Sequence, residues 1–223
     1  GMGQTGRVVR QAGMATKKTK REPKEHIECH TRAAWRRWLS AHHGRAEGVW
    51  LVVFKQSSGR GGLRLDEAVE EALCHGWIDS LPGKVDDART KLYFAPRKPG
   101  TGWSRLNKQR IERMVQAGRM TEAGMAKIEA AKADGSWNKL DAIENLEVPD
   151  DLARALRAVA GARAHFDAFP PSARRGILEW IAQARTPETR TRRIAETARL
   201  AGINQRANAW RPPKAVATKR AAR

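Results

Sequence analysis

The residues with the clearest chemical potential lie on either side of one turn. "WIDS" (77–80) contributes Asp79, and "APRKPGTGWSRLN" (95–107) contributes Arg97, Lys98, Trp103, Ser104 and Asn107. A guanidinium grips carboxylate or phosphate with two parallel bonds, and an indole offers a flat face for stacking. The amides left free in the first turn of a helix attract anions, and Ser104 is placed to begin such a helix. The set predicts a cationic pocket for a small anionic ligand. The plain alternative is that Asp79 pairs with Arg97, Trp103 packs in a core and Ser104 is an ordinary N-cap.

Other chemistry is poorly represented. His75 and Asp79, four positions apart, are the one acid/base pair within reach of each other, and a histidine beside Gly76 is equally well a helix-end residue. No G-x-S-x-G, H-E-x-x-H, Walker or dinucleotide pattern occurs, and "GRGG" at 59–62 lacks the Lys-Ser/Thr of a phosphate loop. A non-enzymatic protein is therefore expected. Cys29-His30 and Cys74-His75 invite a zinc reading, but adjacent residues point to different faces, so each pair offers one ligand without distortion. No metal and no cofactor is expected, and Cys74 reads as a small buried hydrophobe.

The elements that must position these residues follow from periodicity and caps. Thr31 opens a helix in "TRAAWRRWLSAHHG", with Trp35, Trp38 and Leu39 inward, and "VWLVVF" (49–54) reads as a buried strand. Asp66 is expected to cap the helix "EAVEEALCHG". "WIDS" and "TKLYFAP" read as antiparallel strands around a turn at "LPGKVDD", giving a sheet of about three strands. Ser104 and Thr121 start the next two helices, and Leu106, Ile111, Met114 and Val115 are expected to face inward in the first of them. Beyond Pro149 the signals are helical throughout. Ile177, Leu178, Trp180 and Ile181 form one buried face, and "TPETRTRRIAETARLAG" has Thr186 as N-cap, Pro187 at the first turn and Gly202 as stop.

The fold class is accordingly α+β: an N-terminal domain of helices packed on a small, mostly antiparallel sheet, then an all-helical C-terminal module of three helices. The expected organisation is a disordered basic tail over 1–25, an α+β domain over 26–135, a connector with little regular structure over 136–149, a helical domain over 150–210 and a second disordered basic tail over 211–223. Gly1 before Met2 reads as the remnant of a tag, leaving Met2 or Met14 as the start.

Charge agrees with that division. Of a net +19, the tails hold +10: seven Lys/Arg against two acids in 1–25, and five Lys/Arg with none in 211–223. Such tails contact polyanions nonspecifically. "RKPGTGWSRLNKQRIER" mixes cations with an indole, but the folded part carries no helix-turn-helix, zinc-finger, RNP or KH signature, so specific nucleic-acid recognition is not expected. No apolar run approaches the ~18 residues of a membrane span, and the N-terminus lacks the apolar stretch of a secretory signal, so a cytoplasmic protein is expected.

Three long blocks carry a resemblance. "EALCHGWIDS", "YFAPRKPGTGWSRLNKQRIERMVQAGRMT" and "FPPSARRGILEWIAQARTPETRTRRIAET" together resemble the YdeI/OmpD-associated family, also labelled bacteriocin-protection proteins, from about Thr31 to Trp210. The matching positions are Gly76, Trp77, Ile78 and Asp79; Pro96, Arg97, Lys98, Trp103, Ser104 and Asn107; and, in the C-terminal module, Trp180, Glu188, Thr189, Arg190, Arg193 and Ile194. Ala95 departs from the pattern, where a polar or hydroxyl residue is expected before "PRK". The resemblance implies a role in tolerance of bacteriocins, antimicrobial agents or envelope stress, and no reaction. It also implies that the C-terminal helices, with Trp180, Glu188, Arg190 and Arg193, form a separable module; by their own residues, Trp180 and alternating Arg/Glu, these helices are expected to be able to meet a protein partner or a second copy of the chain.

Overall fold

The structure is a computed structural model, and it describes residues 25–209. The expected tails lie outside these residues except for Glu25, whose carboxylate pairs with Arg45. The described residues fall into two compact units: one up to Ala72 together with Trp77–Pro96, the other Leu73–Gly76 together with the chain from Arg97 onward. No helix among the described residues is long and apolar enough to cross a membrane.

The first unit is built on a four-stranded mixed sheet in the order β1-β2-β4-β3: β1 (His26–Glu28), β2 (Val49–Phe54), β3 (Trp77–Lys84) and β4 (Arg89–Pro96). β2 runs parallel to β1 and antiparallel to β4, and β3 is antiparallel to β4. The register pairs Val49 with Phe94 and Leu51 with Leu92, placing these apolar side chains on one face. Helix α1 (Arg32–His42) packs there, with Trp35 5.2 Å from Phe94 and its indole N–H donating to the Ala68 carbonyl of α2 (Leu65–Cys74) at 3.0 Å. The two helices are tied by Glu71, whose fully buried carboxylate receives Arg32 at 2.6 Å and Arg36 at 2.7 Å. A buried carboxylate is tolerated only with such partners.

Three expectations need correction here. The sheet has a fourth strand, β1, too short and polar for a periodicity signal. The strand beginning at Trp77 does not stop at Ser80: it runs on through Pro82 to Lys84, with a bulge between Asp79 and Pro82. Proline cannot donate to a ladder but is accepted at bulges and on an edge strand, and β3 is an edge strand. Asp66 is not the cap of α2; it sits in the first turn and pairs with Arg64, while Glu67 accepts the Arg64 amide.

The second unit begins with α3 (Arg105–Gln116) and α4 (Glu122–Asp134). Ser104 and Thr121 cap them as expected, accepting the amides of Asn107 and Gly124 at 3.3 Å each. Ile111 and Met114 are buried, whereas Leu106 and Val115 are half exposed: the buried stripe passes between them, since neither is three or four residues from both anchors. Gly124 is a close-approach position, because a Cβ there would lie 2.2 Å from the Cys74 carbonyl oxygen.

Residues 136–149 carry more order than their composition suggests, with a 3₁₀ turn at Ser136–Asn138 and a short helix α5 (Asp141–Glu144). The module beyond has four helices where three were expected: α6 (Asp150–Ala158), α7 (Ala162–Ala168), α8 (Pro171–Ala182) and α9 (Pro187–Gly202). The added helix, α7, brings Phe166 into a core with Leu152, Leu156, Ile177, Ile181 and Ala201.

Candidate functional site

The 97–107 segment is a turn followed by a capped helix, and many of its polar groups are met from within the unit, although Arg97 Nε makes no hydrogen bond of its own among the described residues. The Arg97 amide donates to the Gly76 carbonyl at 3.0 Å. Gly100, at φ +75°, closes a turn in which Thr101 Oγ1 donates to the Lys98 carbonyl at 2.8 Å. The positive φ is the reason for glycine there. The Arg97 side chain is 5% exposed; its guanidinium lies 3.6 Å over the Trp103 ring and donates to the Gly102 carbonyl at 2.9 Å. Trp103 is 3% exposed and packs 5.1 Å from Trp137, and Lys127 Nζ donates to the Arg97 carbonyl at 3.1 Å.

The features that would attract an external anion already hold internal ones. Asp134 accepts the Ser136 amide at 2.8 Å, and its carboxyl is held below the ordinary carboxylate value by Ser136 hydroxyl and amide and by the Gly100 amide. At the start of α3, the Arg105 amide donates to Glu144 at 3.4 Å, and Glu144 also receives Arg175 at 3.0 Å. Lys108 meets Asp141 at 2.6 Å. The segment thus receives carboxylates, as its chemistry suggests, and they come from Asp134 and Glu144 of the same chain, with Asp141 on the next residue, Lys108. The hollow left beside Arg97, lined also by Lys98 and Thr101, holds about 70 Å³. That is room for an ion or two waters, against the several hundred Å³ of a typical organic-ligand pocket.

The remaining candidates are distributed. Lys98 is exposed, and Asn107 is half-buried with its side-chain oxygen accepting from Arg110 at 2.9 Å. Asp79 belongs to the first unit, on β3 in register with Phe94. His75 is buried. Both cysteines are buried, and burial pushes the Cys29 thiol above its ordinary value. In the C-terminal module, Arg190 bonds Asp151 through two nitrogens at 2.7 and 3.0 Å, and Arg193 lies 5.0 Å over the Trp180 ring while donating to the Trp180 carbonyl. Glu188 sits in the first turn of α9, its carboxyl lowered by its own amide and by the Thr186 hydroxyl. These contacts bind α9 to α6 and α8.

A larger hollow, about 330 Å³, lies on the sheet of the first unit among residues of all four strands and the turn after β3. Its basic side chains are Lys84, Arg89 and Lys91, none of which the motif reading selected. Their signal in the sequence is the cluster of cations bracketing the β3–β4 turn, with Arg89 and Lys91 two apart and hence on one face.

Fold and contacts define a two-unit α+β protein whose C-terminal part is a closed helical module. Residues 145–202 match the family described as "Bacteriocin-protection, YdeI or OmpD-Associated", and residues 27–127 match a domain of unknown function, DUF8412. The last helices are thus similar to the YdeI/OmpD-associated family, and the N-terminal motifs lie in the segment that matches the other model. No curated protein and no solved structure matches the chain.

Proposed function

We propose that the protein is a non-enzymatic binding protein of the cytoplasm that contributes to tolerance of bacteriocins, antimicrobial agents or envelope stress. The observation that carries this reading is the bacteriocin-protection match over 145–202. Binding is favoured over catalysis by the state of the best chemical constellation: Arg97, Trp103, Ser104 and Asn107 are engaged in holding a loop and a helix start. In this reading the 97–107 segment is a clasp closed by the chain's own carboxylates.

A small anion at Arg97, Lys98, Trp103, Ser104 and Asn107 is the second reading. The hollow beside Arg97, with Lys98 on its wall, favours it. An ion entering there competes with Asp134 for the Gly100 amide.

The test is survival under challenge. Deleting the gene lowers survival of a bacteriocin-treated host, wild-type protein restores it, and a Trp180→Ala/Arg193→Ala variant does not. Equal survival of the deletion and parent strains overturns the tolerance role.

A further inference from the structure

The face of the sheet opposite α1 and α2 is cationic over an apolar floor. The register pairs Val52 with Lys91 and Trp50 with both His26 and Tyr93, so these side chains share that face. Val52 floors the hollow and Val85, 38% exposed, forms part of its rim. Three cations line the hollow, Arg89 and Lys91 from this face and Lys84, in register with Thr90, from the end of the edge strand, and they differ in what already holds them. Arg89 is shared between Asp86 at 2.8 Å and Glu28 at 3.4 Å. Lys91 Nζ sits 4.4 Å over the Trp50 ring and 3.1 Å from His26 Nε2, with no carboxylate among these contacts. Lys84 is exposed and makes no ion pair or side-chain hydrogen bond with any described residue.

A second observation lies beneath the same cations. Trp50 is 3% exposed, and its indole N–H has no hydrogen-bond partner among the described residues. An unmet buried donor is costly, and Lys91 and His26, which lie against this ring, both line the hollow.

We propose that this hollow binds a small organic anion: an apolar body seated on Val52 and Val85, with a carboxylate or phosphate head held by Lys84 and Lys91. The volume, about 330 Å³, lies at the small end of organic-ligand pockets, which run from about 300 to 1,000 Å³. Arg89 contributes less than the two lysines, because its charge is divided between two carboxylates. Glu28 opposes a second negative group on the ligand and selects for a single anionic head. Single-stranded nucleic acid fits the face less well, since it needs exposed aromatic platforms and Trp50 is covered. The site is distinct from the 97–107 clasp.

Calorimetric titration of the full chain with four probes tests the proposal: salicylate and phenyl phosphate carry head and body, inorganic phosphate the head alone, benzyl alcohol the body alone. Salicylate or phenyl phosphate should bind at least tenfold more tightly than either of the others and move the Trp50 indole cross-peak in NMR spectra. The better of the two identifies the head group. Lys84→Glu, at a side chain with no partner to lose, should weaken that binding about five- to tenfold without changing Tm. Val85→Asp should weaken it as well, and Lys98→Glu in the clasp should leave it unchanged. Equal affinity for inorganic phosphate, no effect of Lys84→Glu and Val85→Asp, or much tighter binding of a single-stranded oligonucleotide overturns the proposal. Loss of binding in Lys98→Glu alone also overturns it and moves the ligand to the clasp.

Discussion

The guanidinium of Arg97 lies 3.6 Å over the ring of Trp103, and both side chains are almost wholly buried. A planar cation stacked on an indole, with one nitrogen bonded to the Gly102 carbonyl, holds the 97–103 turn in a single shape. Arg97→Ala should cost about 2–3 kcal/mol through the lost stack and the part-buried Gly102 carbonyl left without this donor. Arg97→Lys should recover little, because an ammonium lacks the flat fork. Urea unfolding of the two variants checks this. An Arg97→Ala variant of wild-type stability contradicts the clasp.

Glu71 is the buried carboxylate that joins α1 to α2 through Arg32 and Arg36. Glu71→Ala should cost roughly 3 kcal/mol, since it removes the partner of two half-buried cations and leaves a cavity. The readout is the urea midpoint at constant m-value. Glu71→Gln should be intermediate, because the amide keeps the shape and one acceptor.

Gly124 allows α4 to approach the Cys74 carbonyl. Gly124→Ala should lower stability by about 1–3 kcal/mol despite alanine's better helix propensity, since the new Cβ meets backbone. A rise in Tm for this variant contradicts the close approach.

Acid should loosen the helical module. The Arg190 hydrogen bond holds the Asp151 carboxyl below its ordinary value. For Glu144, burial works to raise the carboxyl, and hydrogen bonds from Arg175 and the Arg105 amide more than offset it. Both groups have a folded value below the unfolded one, so their stabilisation is complete above about pH 5 and is lost as pH falls through the folded values. The urea midpoint should therefore be flat from pH 7 to 5 with respect to these groups and drop below 4. Asp151→Asn should start lower at pH 7 and lose less on acidification.

Local signals were the legible part of this sequence. Thr31, Ser104, Thr121 and Thr186 each cap a helix as their spacing indicates, because a cap is decided within three residues. β1 and α7 were not legible: three residues of "HIE" and seven of "ARAHFDA" are too short for periodicity, and both depend on packing against distant segments. Pro82 marked a turn by composition, but the bulge let β3 continue through it. The candidate site divides in the same way. Arg97 and Trp103 were read as members of one anion site, with Asp79 as the alternative partner of Arg97; that the guanidinium stacks on the indole itself was not read. Glu144, which meets the Arg105 amide from 39 residues away, could not be found from the motif. Lys84, Arg89 and Lys91 were visible as charges, but the hollow they line together depends on β1 and on the end of β3, which only the folded sheet supplies.

The most direct test of where this protein meets an anion is a salicylate titration followed in ¹H–¹⁵N NMR spectra of the full chain. Shifts are expected at the amides of Ile27, Lys84, Val85 and Lys91 and at the Trp50 indole, with Gly100, Thr101 and Arg105 unmoved because Asp134 and Glu144 already occupy that segment. Shifts confined to Gly100, Thr101 and Arg105 would contradict this expectation, and would make the 97–107 segment an open site.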